Sequence, residues 1–265
     1  MGPEALLARA GLEGPPPTPL SGGDIAQVWR SGDHVLKTHP APPLGFFPAE
    51  AAGLRALARA GVRVPEVRWV GEEGLVLGWL APGPPDWEGL AEMLVRLHGA
   101  RVDRYGWEQE GFLATFPLPA GTGTAWTAQW VERRVGPLLA ATRGRLGALA
   151  GRVERLLATY APPAEGPVLI HGDLWRGNLH MSADGAALID PSTWWGERGV
   201  DLAMMRLFGG FPPEFWAAYE ARLPVPAAVA EAIPYHQLYF LLVHVHLFGK
   251  GYLSGVEGVL RRYDA

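Results

Sequence analysis

The chain has 265 residues, a net charge of -4, 48% hydrophobic and 19% charged residues, and no cysteine. That length holds one large domain or two lobes around a substantial core, and the acidic balance excludes a general basic surface for nucleic acid or anionic membrane. The missing cysteine excludes disulfides, thiolate catalysis and Cys-ligated metals and fits a cytoplasmic protein.

The first elements read as β-rich. Glu4–Ala10 has a short helical pattern, and Gly14-Pro15-Pro16-Pro17 reads as a connector after it. Gln27–Arg30 and His34–Thr38 are expected as two strands joined by a Ser31-Gly32-Asp33 turn. Pro48 can open a helix that carries Leu54, Leu57 and Ala58 on one face and stops at Gly61. Val67–Val70 and Leu75–Leu80 read as a second hairpin, turning at Glu72-Glu73-Gly74.

Ala81-Pro82-Gly83-Pro84-Pro85 is the densest breaker in the middle of the chain and marks the expected lobe boundary, giving lobes 1–80 and 81–265. Beyond it the pattern turns helical. Asp86 can cap a helix whose Leu90, Met93, Leu94 and Leu97 recur at helical spacing. Further helices are expected at 125–141, 145–160, 200–208, 212–222 and 227–249, interrupted by one hairpin, Asn178–Met181 and Ala186–Ile189. No segment reaches the roughly 18–20 apolar residues of a membrane span. The nearest, Leu238–Phe248, is short and carries His244 and His246, two residues apart and so facing different directions on a helix. The fold class expected from this order is α+β: two lobes, the first small and β-rich, the second larger and mainly helical.

Two scarcities focus the chemistry. Asn178 is the single asparagine, and Lys37 and Lys250 are the only lysines, so 21 of 23 basic residues are arginine. Asn178 stands five residues after Asp173 in His171-Gly172-Asp173-Leu174-Trp175-Arg176-Gly177-Asn178, the spacing of a phosphotransferase catalytic loop. In the expected hairpin the start of the first strand lies beside the end of the second, which makes Asn178 and Asp190 neighbours. An amide oxygen with a carboxylate, completed by phosphate oxygens and water, suits Mg²⁺. Asp173 is the candidate base. Lys37, on a strand, can hold phosphate oxygens of ATP, and Glu50, thirteen residues on, can orient it. Backbone N–H groups of the Ser21-Gly22-Gly23 turn can face the same phosphates, and Trp79-Leu80 offers a surface for the adenine. Trp194 and Trp195, shortly after Asp190, could stack on a sugar acceptor or simply pack.

The bland readings differ in strength. His171, Asp173 and His180 could form a phosphoesterase metal run, but the remaining histidines are scattered along the chain. Glu50 alone could be a solvated helix carboxylate. Lys250 is as rare as Lys37 and carries no assignable role.

The stretches HGDLWRGN (171–178), LIDPSTWWG (188–196) and DLAMMRLFGGFP (201–212) resemble the fructosamine-3-kinase (ketosamine-3-kinase) family, within the wider aminoglycoside-phosphotransferase and protein-kinase-like group. SGGDI (21–25), AEAAGLRAL (49–57), YGW (105–107), WVERRVGP (130–137) and HQLYFLLVHVHLFGKGYL (236–253) extend the resemblance from Ser21 to Leu253. It implies a protein-kinase-like fold and an ATP- and Mg²⁺-dependent kinase acting on the 3-hydroxyl of ketosamines, either small molecules or glycated protein side chains, with no nucleic acid or membrane partner. The phosphorylated adduct decomposes and frees the amine, a deglycation. By the family's motif Asp173 is the base, Asn178 and Asp190 hold the metal, Lys37 binds phosphate with Glu50 as partner, and Asp201 ties the catalytic loop. Trp175 belongs to the family's variant of the loop and joins Trp194 and Trp195 as an acceptor-site candidate. Departures fall on the acceptor side: Trp194-Trp195 replaces the usual Tyr-Tyr, Gly196-Glu197-Arg198-Gly199 the usual Gly-His-Arg-Glu, Gly111-Phe112-Leu113-Ala114 the usual Asn-Phe-Ile-Gly, and His244 the late Asn. They leave open a kinase of another hydroxylated acceptor, such as an amino sugar, choline or a sugar alcohol, and a nucleotide-binding protein without catalysis.

Overall fold

The computed structural model of the chain describes residues 1–21 and 25–264. Its first part contains α1 (Pro3–Arg9), β1 (Thr18–Pro19), β2 (Gln27–Ser31), β3 (His34–Thr38), α2 (Phe46–Arg59), β4 (Val67–Gly71) and β5 (Gly74–Gly78). The five strands form one antiparallel sheet in the order β1-β2-β3-β5-β4. Side chains alternate faces along each strand, so Leu36 and Val76 pack with Leu6 and Leu7 of α1, while Leu75 and Leu77 pack with Phe47 and Leu54 of α2. Lys37 shares the α2 face by this alternation, which is why its ammonium can meet a side chain of that helix. α2 begins two residues earlier than Pro48 suggests, with Gly45 at a left-handed φ of 79° before it. Pro48 then occupies the first turn, where its missing N–H costs nothing.

The second part runs α3 (Trp87–Gly99), β6 (Tyr105–Trp107), β7 (Gly111–Leu113), β8 (Phe116–Leu118), β9 (Gly121–Gly123), α4 (Trp126–Trp130), a π-helical turn (Val131–Val135), α5 (Gly136–Leu146), α6 (Leu149–Thr159), β10 (Val168–Ile170), a 3₁₀ turn (Arg176–Asn178), β11 (Leu179–Ser182), β12 (Gly185–Leu188), β13 (Trp194–Gly196), α7 (Arg198–Phe208), α8 (Pro213–Arg222), α9 (Ala227–Phe248), a 3₁₀ turn (Lys250–Tyr252) and α10 (Leu253–Arg262). The Asp86 side chain accepts from the Gly89 N–H at 2.9 Å and caps α3, and Leu90, Leu94 and Leu97 are fully buried beneath it.

Three expectations are corrected. More than one hairpin interrupts the helices: β10, β13, β6 and β9 form a four-stranded sheet and β7 and β8 a second hairpin. These strands are three residues long, too short for alternation to stand out. The single helix expected at 125–141 is three segments, because the π turn shifts the hydrogen-bond register between α4 and α5. The helix expected from 145 instead starts at Leu149, after Gly147 breaks the chain at φ 56°. α10 has no counterpart among the expected helices.

The two parts interlock. Ala56, Leu57 and Val62 from the first part belong to the large core of the second, and Phe112 packs onto the core beneath the sheet. Pro82 bridges to Ser182, and the Gly83 N–H donates to the Met181 carbonyl at 2.8 Å, pinning the proline-rich connector to the β11–β12 hairpin. Among the described residues no helix is long and apolar enough to cross a membrane.

Candidate active site

A cavity of about 1130 Å³ opens where the five-stranded sheet faces the loops around β10–β12. Val28, Lys37 and Leu77 line it from the sheet, and Asp173, Asn178 and Asp190 from the opposite wall.

The loop after β10 is held from behind by a buried carboxylate. Asp201, on α7 and without solvent exposure, accepts from the backbone N–H of His171 and of Gly172, both at 2.8 Å, and faces His98 Nε2 at 3.2 Å. A carboxylate that accepts two backbone N–H bonds fixes the chain that carries them. Gly172 sits at φ 80°, and a Cβ there would lie 2.0 Å from the Ser192 carbonyl oxygen, so only glycine fits. The His171 Nε2 donates to the Ile189 carbonyl at 2.9 Å, which leaves Nδ1 to accept from the Asp173 N–H at 3.3 Å. Burial lowers the His171 pKa against the pull of Asp201, in keeping with this neutral tautomer.

One 3₁₀ turn later Asn178 points back at the loop. Its Nδ2 donates to the Asp173 carbonyl at 2.8 Å, to Asp173 Oδ2 at 3.1 Å and to the Asp190 carbonyl at 3.4 Å. With its nitrogen so engaged, the amide oxygen is turned away from the loop. Asn178 precedes β11 rather than opening it, yet its carbonyl accepts from the Ile189 N–H at 3.0 Å, so the hairpin still brings Asn178 beside Asp190. Asp190 adopts a left-handed φ of 55° just past β12, and its Oδ1 accepts from Lys37 Nζ at 2.9 Å.

Lys37, itself buried, completes an ion triad whose Asp190 carboxylate is partly exposed to the cavity. Its ammonium also donates to Glu50 Oε1 at 2.7 Å. Burial disfavours its charge, but the Asp190 and Glu50 carboxylates outweigh that and raise its pKa above the ordinary lysine value. Asp173 is shifted the other way: burial pushes its carboxyl up to about 7, opposed by the Asn178 hydrogen bond and reinforced by the charges of Asp190 and Asp201. A carboxyl that changes state near neutral pH is suited to accepting a proton. The Asn178 amide oxygen and the Asp190 carboxylate are hard oxygen donors of the type Mg²⁺ takes, and the described residues contain no cluster of three His, Cys, Asp or Glu. Such a pair fits an ion completed by phosphate oxygens and water.

The remaining sequence-derived candidates divide. Ser21, Trp79 and Leu80 line the cavity, whereas Gly22 and Gly23 lie outside the described residues. The Arg30 guanidinium stacks 4.1 Å over the Trp79 ring, and His180 Nε2 lies 3.0 Å from the Leu80 carbonyl. Trp175 lines the cavity with its side chain partly exposed, and a Cβ on Gly177 would lie 2.3 Å from its ring. Trp194 is 1% exposed, buried among Trp126 and Trp130 with one side on the cavity wall. Trp195 is not among the lining residues; as its neighbour on a strand it faces the other way and packs against Trp107 at 6.3 Å between ring centroids. Trp107 itself lines the cavity, so Trp195 stands behind the lining rather than in it.

Two residues of this site do not stand out in the sequence. His98 braces Asp201 from α3, and nothing in its surroundings along the chain signals that. Arg134 lies in the π turn, is 2% exposed and lines the cavity. Its one signal is its presence in the stretch WVERRVGP, where two adjacent arginines obscure which one turns inward.

Residues 13–264 match the family model described as fructosamine kinase. The chain is 57% identical over 257 residues to a probable ketoamine kinase of Thermus thermophilus, covering 97% of both chains. It is 34% identical over 262 residues to the probable ketoamine kinase YniA of Escherichia coli K12, covering 92% of this chain and 91% of that one. Among solved structures it superposes on a candidate fructosamine-3-kinase of Thermobifida fusca with a TM-score of 0.90, 32% identity and full coverage of both chains. An ADP-bound aminoglycoside phosphotransferase shares the fold at a TM-score of 0.60 and 12% identity, over 98% of this chain and 96% of that one.

Proposed function

The chain belongs to the fructosamine kinase family and is an ATP-dependent phosphotransferase of kinase-like fold, and we propose that it phosphorylates the 3-hydroxyl of ketosamines. The observation that carries the phosphoryl-transfer part of this reading is the single array Lys37–Asp190–Asn178–Asp173 in one cleft, with a cation at one end and a half-buried carboxyl of raised pKa at the other.

In this reading ATP lies on the sheet side of the cleft. Its adenine rests against Trp79 and Leu80, and its phosphates meet Lys37, with Ser21 on the lining of the same cavity. Glu50 keeps the Lys37 ammonium in place. Asn178 and Asp190 would hold Mg²⁺ through oxygen, and the ion, when bound, would neutralise charge building on the phosphates. The acceptor enters from the side of Trp175 and Trp194. Asp173 takes the proton of the sugar hydroxyl as its oxygen bonds the γ-phosphorus and the bond to the β-phosphate oxygen breaks. The fixed orientation of Asp173, secured through Asp201 and Asn178, supplies alignment that a free carboxylate lacks. The 3-phosphate so formed decomposes and frees the amine, which makes the activity a deglycation. Residues 1–80 serve as the nucleotide lobe and 81–265 as the acceptor lobe.

An acceptor screen with labelled ATP tests this. Transfer to fructosamine or ribulosamine conjugates is expected; transfer only to an amino sugar, choline or a sugar alcohol would assign a different substrate, and transfer to none would point to nucleotide binding without catalysis.

A further inference from the structure

Arg134 is an oddity on energetic grounds. A charge taken out of water is costly unless a partner compensates it, yet this guanidinium is 2% exposed and none of the described carboxylates bonds it. Its bonds all leave from Nη1, to the Pro119 carbonyl at 3.3 Å and the Arg133 carbonyl at 2.9 Å. The Nε is buried without a partner. The Trp194 ring lies with its centroid 4.4 Å from the guanidinium carbon, a cation–π contact. Burial draws its pKa down to about 10, with Tyr239 opposing, so the charge persists at neutral pH.

The backbone explains how the side chain comes to be there. The π turn Val131–Val135 adds a residue to the helical register, a feature frequent at functional sites. Trp130, just before the turn, and Val135, its last residue, are both fully buried in the core.

The bonds of Nη1 leave one edge of the guanidinium, Nε with Nη2, unused. That edge presents two parallel N–H groups, the geometry that matches the two oxygens of a carboxylate. Lys37 and Arg134 are the only Lys or Arg in the described cavity lining. Lys37 is already shared by Glu50 and Asp190, so Arg134 is the cation there without a counter-charge. The site shares its cavity with the chemistry, since Arg134, Trp194 and Asp173 all line it. Trp194 covers one face of it, and the cavity lining also carries the apolar Leu118 and Val243; an apolar surround strengthens any charge pairing.

We propose that Arg134 is the specificity residue of the acceptor site, binding a carboxylate carried by the acceptor through its Nε–Nη2 edge. The favoured substrates are then ketosamines formed on the α-amino group of free amino acids, in which the carboxylate stands one carbon from the nitrogen. The proposal rests on the ketosamine reading above. A single unpaired cation matches a monoanion, whereas a phosphate dianion on the sugar would leave one negative charge uncompensated in the same apolar wall.

The test compares, on the wild-type protein, the ketosamine of glycine with that of glycinamide, and a terminally phosphorylated ketosamine of glycinamide as a third arm. The carboxylate compound is expected to have the higher kcat/KM by about 10- to 100-fold, mainly through KM. In Arg134→Gln that ratio should fall towards one, and Arg134→Lys should restore part of it. Equal use of the carboxylate and the amide by the wild type overturns the proposal without any variant having to fold. So does a preference for the phosphorylated arm, or an Arg134→Gln protein that keeps the wild-type ratio. No transfer to any of the three compounds contradicts the ketosamine reading itself.

Discussion

Lys37 and Asp190 lie 153 positions apart in the chain and meet at 2.9 Å, joining the five-stranded sheet to the hairpin that carries Asn178. The pair couples a strand register to a turn conformation. Lys37 reaches the cleft because strand alternation puts it on the α2 face, and Asp190 reaches Lys37 because it leaves β12 with a left-handed backbone.

Removing the ammonium should cost both chemistry and stability. Lys37→Met is expected to lower kcat/KM by about 100-fold or more, as for loss of a preorganised charge at a transferring phosphoryl group. It also leaves the Glu50 and Asp190 carboxylates facing each other, so the melting temperature should drop. Adding Asp190→Asn should recover part of that temperature and none of the activity. A double variant no more stable than the single would mean that charge repulsion is not the cause.

Asn178 makes a narrower claim. Asn178→Ala should keep the protein folded and shift the Mg²⁺ concentration needed for half-maximal turnover upward, because one oxygen ligand is gone. An unchanged Mg²⁺ titration counts against its ligand role.

The loop geometry predicts a contrast between two glycines. Gly172→Ala meets both a φ of 80° and a carbonyl oxygen 2.0 Å from the new Cβ, and should destabilise the protein by on the order of 2–4 kcal/mol. Gly99→Ala, at the end of α3 with nothing within 4 Å of the new Cβ, should be neutral or stabilising by up to about 1 kcal/mol. Chemical denaturation of the two variants reads the difference; similar values would contradict the steric argument.

His236 predicts a pH dependence. Burial against Trp126 and Trp130 depresses its pKa from 6.5 to about 3. Between those values the unfolded chain binds a proton that the folded protein does not, so stability is full above 6.5 and is lost as pH falls towards 3. At pH 4.5 the loss should be roughly 2–3 kcal/mol. His236→Phe should lessen the fall in unfolding free energy between pH 7.5 and 4.5 by that amount. An unaltered fall would place the acid sensitivity elsewhere.

How much of this was legible in the sequence depends on the length over which each signal runs. The hairpins of the first sheet and the cap of α3 were readable because turn residues and periodicity agree over several residues. The pairing of Lys37 with Glu50 was readable because both sit on elements whose faces the pattern fixes. Strands such as β6 and β9 were not, since three residues give no period and their pairing is decided by distant partners. The π turn was hidden for a related reason: Val131–Val135 has an ordinary helical composition, and only packing in the core shows where the register slips. Arg134 lies within that slip, so its place on the cavity wall was the least legible part of the site. Trp194 and Trp195 show the same limit, for adjacent aromatic residues cannot both face one cavity from a strand.

The central claim is transfer of the ATP γ-phosphoryl group to the 3-hydroxyl of a ketosamine, and the most direct measurement is ³¹P NMR of the wild-type protein with ATP, Mg²⁺ and a ribulosamine or fructosamine conjugate. A new phosphomonoester signal coupled to the proton on carbon 3 is predicted, with release of the free amine as the product decomposes. A phosphomonoester on another carbon, or consumption of ATP without any sugar phosphate, would contradict it.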